Sequence, residues 1–506
     1  MSLVDPLSIA LSGIANTNRN LAVISQNIAN ANTPGYIHES HQQTALDAGG
    51  LPLGVRAGLT VRDLDAALQS QLATQNGAVG HDTTRSDALA RIDQVQGKPG
   101  AGGDLTALVG KLRDSFATLL TDPASTPQQQ AVVDQAQALT EQLHATAAAI
   151  LQERQAAQDG MGADIRTLNS DLQAIGGLSR QIIQVRGVGG STADLENQRD
   201  AAAQDASRLL GLRFITQPNG DMTVLTASGL QLPTDGSHGL ALAPATLGAA
   251  SFYPGGGVPA VTLHGQDVTP SLTSGAIGAA VTLRDTTLPT YQGSLDEFAQ
   301  TMATRFSAQG LTLFTDPGGT VPTAAAVAPR QAAYVGFAGT ITVNPAVLAQ
   351  PGLVRDGTSP IAAGGASAFA PNPPGGPAGF TTMITRVLDF AFTAAIAPGT
   401  AQPAPVLTAM GPNGTLSSPI ASPSGLGAFA TALLAGQAAD AADAGNTATA
   451  SGDTQKALQQ ALAQSSGVNM DTELAQMVQL QNAYAANAKI ITTMQSLWTQ
   501  LLQSVQ

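Results

Sequence analysis

Cysteine is absent from all 506 residues, which excludes disulfides, thiol nucleophiles and thiolate metal sites. Charge is scarce: Asp, Glu, Lys and Arg make up 11% of the chain, less than half the roughly 25% of an ordinary soluble protein. Aromatics stand at 4%, too few for a base-stacking platform. The 35 acidic residues outnumber the 22 Lys and Arg, for a net charge of −13. No basic run occurs, so nucleic acid is not an expected partner. No apolar run approaches the ~20 residues of a membrane-spanning helix, and no membrane contact is expected. The first basic residue is Arg19, so no cationic segment leads into an apolar one. If the protein leaves the cell, a route that reads no cleaved signal peptide is expected.

Reactive constellations are missing as well. His38 and His41 flank Glu39 and Ser40, which is not the His-Glu-x-x-His order of a zinc helix. They follow a Pro-Gly turn and read as two exposed histidines. Gly255 to Gly257 lack the order and the following helix that a phosphate loop needs, and no Gly-x-Ser-x-Gly elbow is present. Neither catalysis nor a cofactor is expected.

What the chain does contain is hydrophobic residues at 43%, with 54 Gly and 29 Pro. That content builds cores, and the length allows three or four domains. Its two ends share one rhythm. Leu7, Leu11, Ile14, Asn18, Leu21, Ser25 and Ile28 alternate four and three apart. Leu474, Met477, Gln481, Tyr484, Ala488, Ile491, Gln495, Trp498 and Leu502 repeat this spacing. Each set lies along one edge of a helix and asks for a partner helix.

Between the ends, residues 3–31 read as a helix stopped at Asn32-Thr33-Pro34-Gly35. An extended segment follows to about residue 62, then a helix from Ala66 to about Gln75. From Ser86 to Gly211 the pattern is helical, with breaks expected at Gly97 to Gly103, Asp122-Pro123, Gly160-Met161-Gly162 and Gly187 to Gly190. Period-two alternation at Leu212, Phe214 and Thr216, a Pro218-Asn219-Gly220-Asp221 turn, and Met222, Val224 and Thr226 predict a hairpin. A strand is expected at Ala260 to Leu263. Leu295 to Ala308 reads as a helix with Phe298, Met302 and Phe306 on one side. In the Gly/Pro/Ala-rich stretch 316–420, Gly339 to Val343 reads as a strand and Phe380 to Phe392 as a helix.

The run Asn27-Ile28-Ala29-Asn30-Ala31-Asn32-Thr33-Pro34-Gly35-Tyr36 resembles the amino-terminal signature of bacterial flagellar axial proteins. Ser466-Gly467-Val468-Asn469-Met470-Asp471-Thr472-Glu473 and Gln479 to Ala488 resemble the carboxyl helix of the hook-associated protein 1 family, at the hook–filament junction. Asn197-Gln198-Arg199-Asp200 resembles that family's motif before its β-rich domain, where polar contacts would orient the helix leading into the hairpin. The resemblance implies a multidomain α+β fold, with the terminal helices pairing as a coiled coil, a helical-bundle domain and inserted β-rich outer domains. Residues 1–46 with 467–506 would form the inner tube. Residues 47–211, 285–315 and 421–466 would form the helical domain, 212–284 a β-rich domain, and 316–420 a variable insert.

The resemblance further implies a structural protein secreted through the flagellar type III path. Its partners would be the hook protein, the next hook-associated junction protein, copies of itself, and an export chaperone on the carboxyl helix. Assembly residues at the amino end would be Leu7, Leu11, Ile14, Leu21, Asn27, Ile28, Asn30, Pro34, Gly35 and Tyr36. At the carboxyl end, Leu474, Met477, Tyr484, Ile491, Trp498 and Leu502 would serve assembly and chaperone binding. A hook or distal rod protein, and a secreted surface adhesin, are the rival readings. Residues 1–46 carry only Asp5, Arg19 and Glu39 as charges, and 467–506 only Asp471, Glu473 and Lys489. Such helices lose little by desolvation on packing but are marginal alone in water, so both termini are expected to dock firmly only on assembly.

Overall fold

The computed structural model describes residues 4–33, 35–48, 51–97, 102–362 and 368–505. The fold is mostly helical with small antiparallel sheets. Helix α1 (Val4–Asn30) leads to strands β1 (Glu39–Ala48) and β2 (Leu51–Arg62), then helices α2 (Ala66–Gln96), α3 (Leu105–Thr121), α4 (Thr126–Gly187) and α5 (Ala193–Leu209). Strands β3 (Leu212–Thr216), β4 (Met222–Thr226) and β5 (Gln231–Leu232) form one sheet; β6 (Ala241–Leu242), β7 (Val261–Leu263) and β8 (Gln266–Asp267) form another. Helices α6 (Gly275–Thr282) and α7 (Leu288–Ser307) follow, then the paired β9 (Phe314–Thr315) and β10 (Thr342–Val343). After α8 (Pro345–Ala349), α9 (Leu353–Asp356), α10 (Thr382–Arg386) and the hairpin β11 (Ala395–Ala397) and β12 (Thr400–Ala401), helices α11 (Leu426–Ser466) and α12 (Met470–Val505) end the chain.

Local chemistry sets these boundaries. Asp65 Oδ1 accepts the backbone N–H groups of Ala67 and Leu68, each at 3.0 Å, and so caps α2. Asp104 does the same for α3 through Ala107 N. Gly35 sits at a φ of +79°, which a residue with a Cβ adopts only at a cost, and the chain turns there from α1 toward β1. The hairpin expected at 212–226 is present, with Leu212 opposite Thr226 and Thr216 opposite Met222.

Several expected boundaries move. Gly160-Met161-Gly162 lies inside α4. Glycine costs a helix about 1 kcal/mol, but Met161 and Ile165 are buried and their packing carries the helix through. The helix expected to stop near Gln75 runs to Gln96, with Leu89 and Ile92 buried on its later turns. The helix expected from Leu295 starts at Leu288. The strand expected from Gly339 is only Thr342–Val343, because Phe337–Gly339 closes a 3-10 turn first. The helix expected over 380–392 is Thr382–Arg386 followed by a π-helical turn, Val387–Ala391.

The chain divides into two compact units, residues 1–80, 166–240 and 450–506, and residues 81–165 and 241–449. In the second, Phe116, Phe298, Phe306, Phe314 and Phe429 are fully buried. The Phe306 ring meets those of Phe314 and Phe392 edge-on at 5.4 Å. Phe298, Met302 and Phe306 share the buried side of α7, as its spacing predicted. Residues of the Gly/Pro-rich stretch, among them Tyr334, Val347, Met383 and Met410, join this core. Two buried carboxylates of α7 fix that stretch: Asp296 accepts from Gly336 N (2.7 Å) and Ala338 N (2.9 Å). Glu297 accepts from the Tyr334 hydroxyl and Val406 N.

Candidate assembly site

In the first unit α1 and α12 run antiparallel. Asn27 meets Glu473, and fourteen residues away on each helix Gly13 faces Asn487: a Cβ on Gly13 would come within 2.9 Å of Asn487 Nδ2. Glycine there lets the helices approach closely. The other side of α1 lies on the β1–β2 hairpin. Ser12 Oγ accepts from Val55 N at 3.1 Å, and Asn16 donates to Gln43.

The centre of the pairing is Asn27, with 0% of its surface exposed. Its Nδ2 donates to the Glu39 carbonyl at 2.9 Å and to Glu473 Oε2 at 3.1 Å. Its Oδ1 accepts from Glu39 N at 3.1 Å and from the Tyr36 hydroxyl at 3.0 Å. A carboxamide has two donors and two lone pairs, and all four are engaged here. Asp would set a second carboxylate against Glu473, and an apolar residue would strand four partners.

Glu473, in the first turn of α12, is 1% exposed. Its Oε1 lies 3.0 Å from His38 Nε2, and His38 Nδ1 lies 2.8 Å from Asp63 Oδ2. Ser466 closes the same knot: its carbonyl accepts from His38 N at 2.8 Å and its hydroxyl from Asp65 N at 2.9 Å. Behind it, Arg62 binds Glu196 at 3.1 Å, Asn197 at 2.9 Å and Asp200 at 2.7 Å. Arg199 Nη1 donates to the Gly220 carbonyl at 2.7 Å, so the third motif does tie helix α5 to the β3–β4 turn. Glu39 is buried beside these groups. Loss of hydration, and then the negative charge of Asp194, push its carboxyl up to about 7. Burial likewise raises the Tyr36 phenol, with Glu39 adding to it. Matched donors and acceptors of this kind fix geometry.

The structure sorts the residues singled out in the sequence. Asn27 and Tyr36 enter the knot. Asn30 makes local bonds at the end of α1, donating to the Gln26 carbonyl and accepting from Thr33. Gly35 makes the turn, and Pro34 lies outside the described residues. Leu7, Ile14, Leu21 and Ile28 are half-buried, whereas Leu11 is 52% exposed. On α12, Met477 and Ile491 are half-buried; Leu474, Tyr484, Trp498 and Leu502 are exposed. The side chains of α1 that bury fully are Ala10, Asn16, Thr17, Ile24 and Asn27, a stripe displaced from the leucine stripe because two surfaces flank the helix. His38 and His41, expected to be exposed, are half-buried, because the hairpin that carries them packs on α1. Sequence reasoning missed Glu473 and His38 as partners. The available signal was the small and polar series Ala10, Gly13, Thr17, Ile24 and Asn27, whose spacing of three, four and seven marks the closer contact face.

Two terminal helices joined by a polar knot, with apolar side chains left exposed along α12, are in keeping with the resemblance to flagellar axial proteins. Family models agree. One described as "Flagella basal body rod protein" matches residues 7–36, and one described as "Flagellar basal body rod FlgEFG protein C-terminal" matches residues 458–504. Between them, "Flagellar hook-associated protein FlgK helical domain" matches residues 89–321. The flagellar hook-associated protein 1 of Salmonella typhimurium is 27% identical over 323 residues, covering 59% of this chain and 55% of its own. That of Escherichia coli K12 is 24% identical over 318 residues, covering 59% and 56%. The solved flagellar hook junction protein FlgK of Burkholderia pseudomallei aligns at 25% identity and a TM-score of 0.42, over 50% of this chain and 45% of that one. The chain thus spans about half the length of the curated relatives it matches. Its interior is similar to the helical domain of the flagellar hook-associated protein 1 family.

Proposed function

We propose that the protein is a structural adaptor of the bacterial flagellum that joins hook to filament. The observation that carries this reading is the match of residues 89–321 to the hook-associated helical domain, set between two rod-type ends. The ends alone fit any axial protein; the interior separates a junction protein from hook and rod. The terminal pair supports the same role, because apolar side chains exposed on α12 gain most by burial against neighbouring subunits, each about 1.5–3 kcal/mol when fully covered.

In this reading residues 1–46 and 467–506 line the inner tube, with the helical residues outside them and 212–284 facing outward. The partners are the hook protein, the next junction protein, copies of the chain, and an export chaperone that masks Leu474, Tyr484 and Trp498 before secretion. The protein works outside the cell, and it works by holding, not by catalysis. A hook or distal rod role is the second reading, favoured by the rod-type descriptions of both ends. Electron microscopy of a deletion strain separates them. Hooks without filaments, with flagellin shed into the medium, are expected for a junction protein. Absent hooks would favour the second reading, and normal filaments with intact motility would sink both.

A further inference from the structure

A pocket of about 380 Å³ opens inside the first unit. Arg62 at the end of β2, the first turns of α2, the last turn of α4, α5 and the β3–β4 hairpin bound it. Its volume lies in the range of small-molecule sites. At the ~30 Å³ that each water occupies in the liquid, it has room for roughly a dozen waters. One wall is apolar, built from Leu64, Ala73, Ala203, Leu212, Phe214 and Met222. The other carries charge: Arg62, Arg186 and Arg199 stand there with Glu196 and Asp200.

These charges do not cancel. Arg62 is held by Glu196 at 3.1 Å and by Asp200 at 2.7 Å, and Arg186 by Glu196 at 2.8 Å. Both carboxylates are therefore taken. Arg199 forms no ion pair among the described residues. Its Nη1 donates to the Gly220 carbonyl at 2.7 Å, and its Nε has no hydrogen-bond partner. Yet Arg199 is only 2% exposed. A guanidinium shut away from water, with a donor unused and no counter-ion in reach, is a costly arrangement. Three cations face two carboxylates, so one negative charge is missing. Arg213 also borders the pocket. It is exposed, however, and in β3 its side chain alternates to the face opposite Leu212 and Phe214, so it stays outside this count.

We infer that this pocket binds a small organic monocarboxylate, its head beside Arg199 and Arg186 and its apolar body against Leu212 and Phe214. A single carboxylate brings the charge to balance, whereas a phosphate monoester, carrying nearly two, overshoots it. The guanidinium fork matches a carboxylate in shape as well as in charge. The apolar wall selects acids with a hydrocarbon body over acetate-sized ions. Binding of this kind is independent of the assembly reading and is measured on the isolated full-length chain.

Titration calorimetry with sodium 4-phenylbutyrate is expected to show a single saturable site per chain. Acetate has the charge without the body, and 4-phenyl-1-butanol has the body without the charge. Each is expected to bind more weakly by roughly tenfold or more. Ser70, exposed on α2 where it borders the pocket, tolerates substitution at little cost in stability. Ser70→Glu supplies the missing charge from the protein itself. It is expected to weaken phenylbutyrate by roughly tenfold or more relative to Ser70→Gln, which has nearly the same size. Arg199→Lys keeps the charge but loses the fork, and is expected to weaken binding to a similar degree with helix content unchanged; should it not fold, the Ser70 pair still decides. No saturable heat with phenylbutyrate, equal binding of the alcohol or of acetate, or equal affinities in Ser70→Glu and Ser70→Gln would each overturn the inference. None of these outcomes touches the assembly reading.

Discussion

The two compact units are held by opposite kinds of contact. Around α7, Phe298 and Phe306 are covered by Phe116, Phe314, Phe392 and Phe429, and burial there is completed within the chain. At the terminal pair the covered groups are largely polar, Asn27 and Glu473 above all. Several apolar side chains of α12, among them Leu474, Val478, Trp498 and Leu502, stay exposed. A polar knot contributes modestly to net stability, because folding exchanges water bonds for internal ones, but it is expensive to leave half-made. It therefore specifies how α1 and α12 align without supplying the energy to keep them packed. The Phe-rich unit holds itself, while the terminal pair is aligned in advance for contacts that come from elsewhere.

The comparison breaks first on Phe306→Ala. Removing a fully buried ring enclosed by other rings is expected to cost about 3–5 kcal/mol, seen by calorimetry as a lower melting temperature of the unit built on α7. A loss below ~1 kcal/mol would mean that this core is not what holds the unit. Asn27→Ala ranks next. It strands the Glu39 backbone, Glu473 and Tyr36 at once, and is expected to cost about 2–4 kcal/mol. Amide exchange should rise at Glu39 and in the first turn of α12, with the protection of 288–307 unchanged.

A pH scan sharpens the comparison further. The Glu39 carboxyl is raised from 4.5 to about 7 in the folded chain, first by burial and then by Asp194. Between those values the folded chain keeps a proton that the unfolded chain has released. Stability from this group is thus full below about 4.5, declines as pH rises, and is gone above about 7. The decline amounts to roughly 1–3 kcal/mol. Glu39→Gln, which keeps the shape and removes the titration, is expected to flatten that part of the melting temperature profile between pH 4 and 8. An identical slope in both proteins would assign the effect to other carboxyls.

How far these differences were legible in the sequence depended on periodicity. Helices α1 and α12 and the 212–226 hairpin announce themselves by regular spacing and by Asn-Gly and Pro-Gly turns. Phe298, Met302 and Phe306 did so too, being four apart on one helix. The stretch 316–420 did not, because Tyr334, Val347, Met383 and Met410 reach the core from short turns with no common period. Their anchors, Asp296 and Glu297, lie far off in the chain. The face of α1 that packs closest within the chain went unread for a related reason. Leucine spacing points to the broadest apolar edge, whereas Gly13 and Asn27 mark where the backbone comes closest and where the buried amide is satisfied. Glu473 stands in the first turn of α12, and only the fold brings His38 and Asn27 to it over more than 400 residues.

The smallest stability effect is expected where the functional effect should be large. Leu474 and Val478 stand on α12, 47% and 56% exposed, so Leu474→Ser with Val478→Ser is expected to change the stability of the isolated chain by no more than ~0.5 kcal/mol. If neighbouring subunits cover these side chains in the flagellum, the same pair should sharply reduce swarming in soft agar and leave flagellin in the medium. The pairing of the two readouts is what matters. A large drop in melting temperature would show that Leu474 and Val478 already pack within the monomer, and the contrast between the units would dissolve. Unchanged stability with normal swarming would show that no neighbour covers this part of α12.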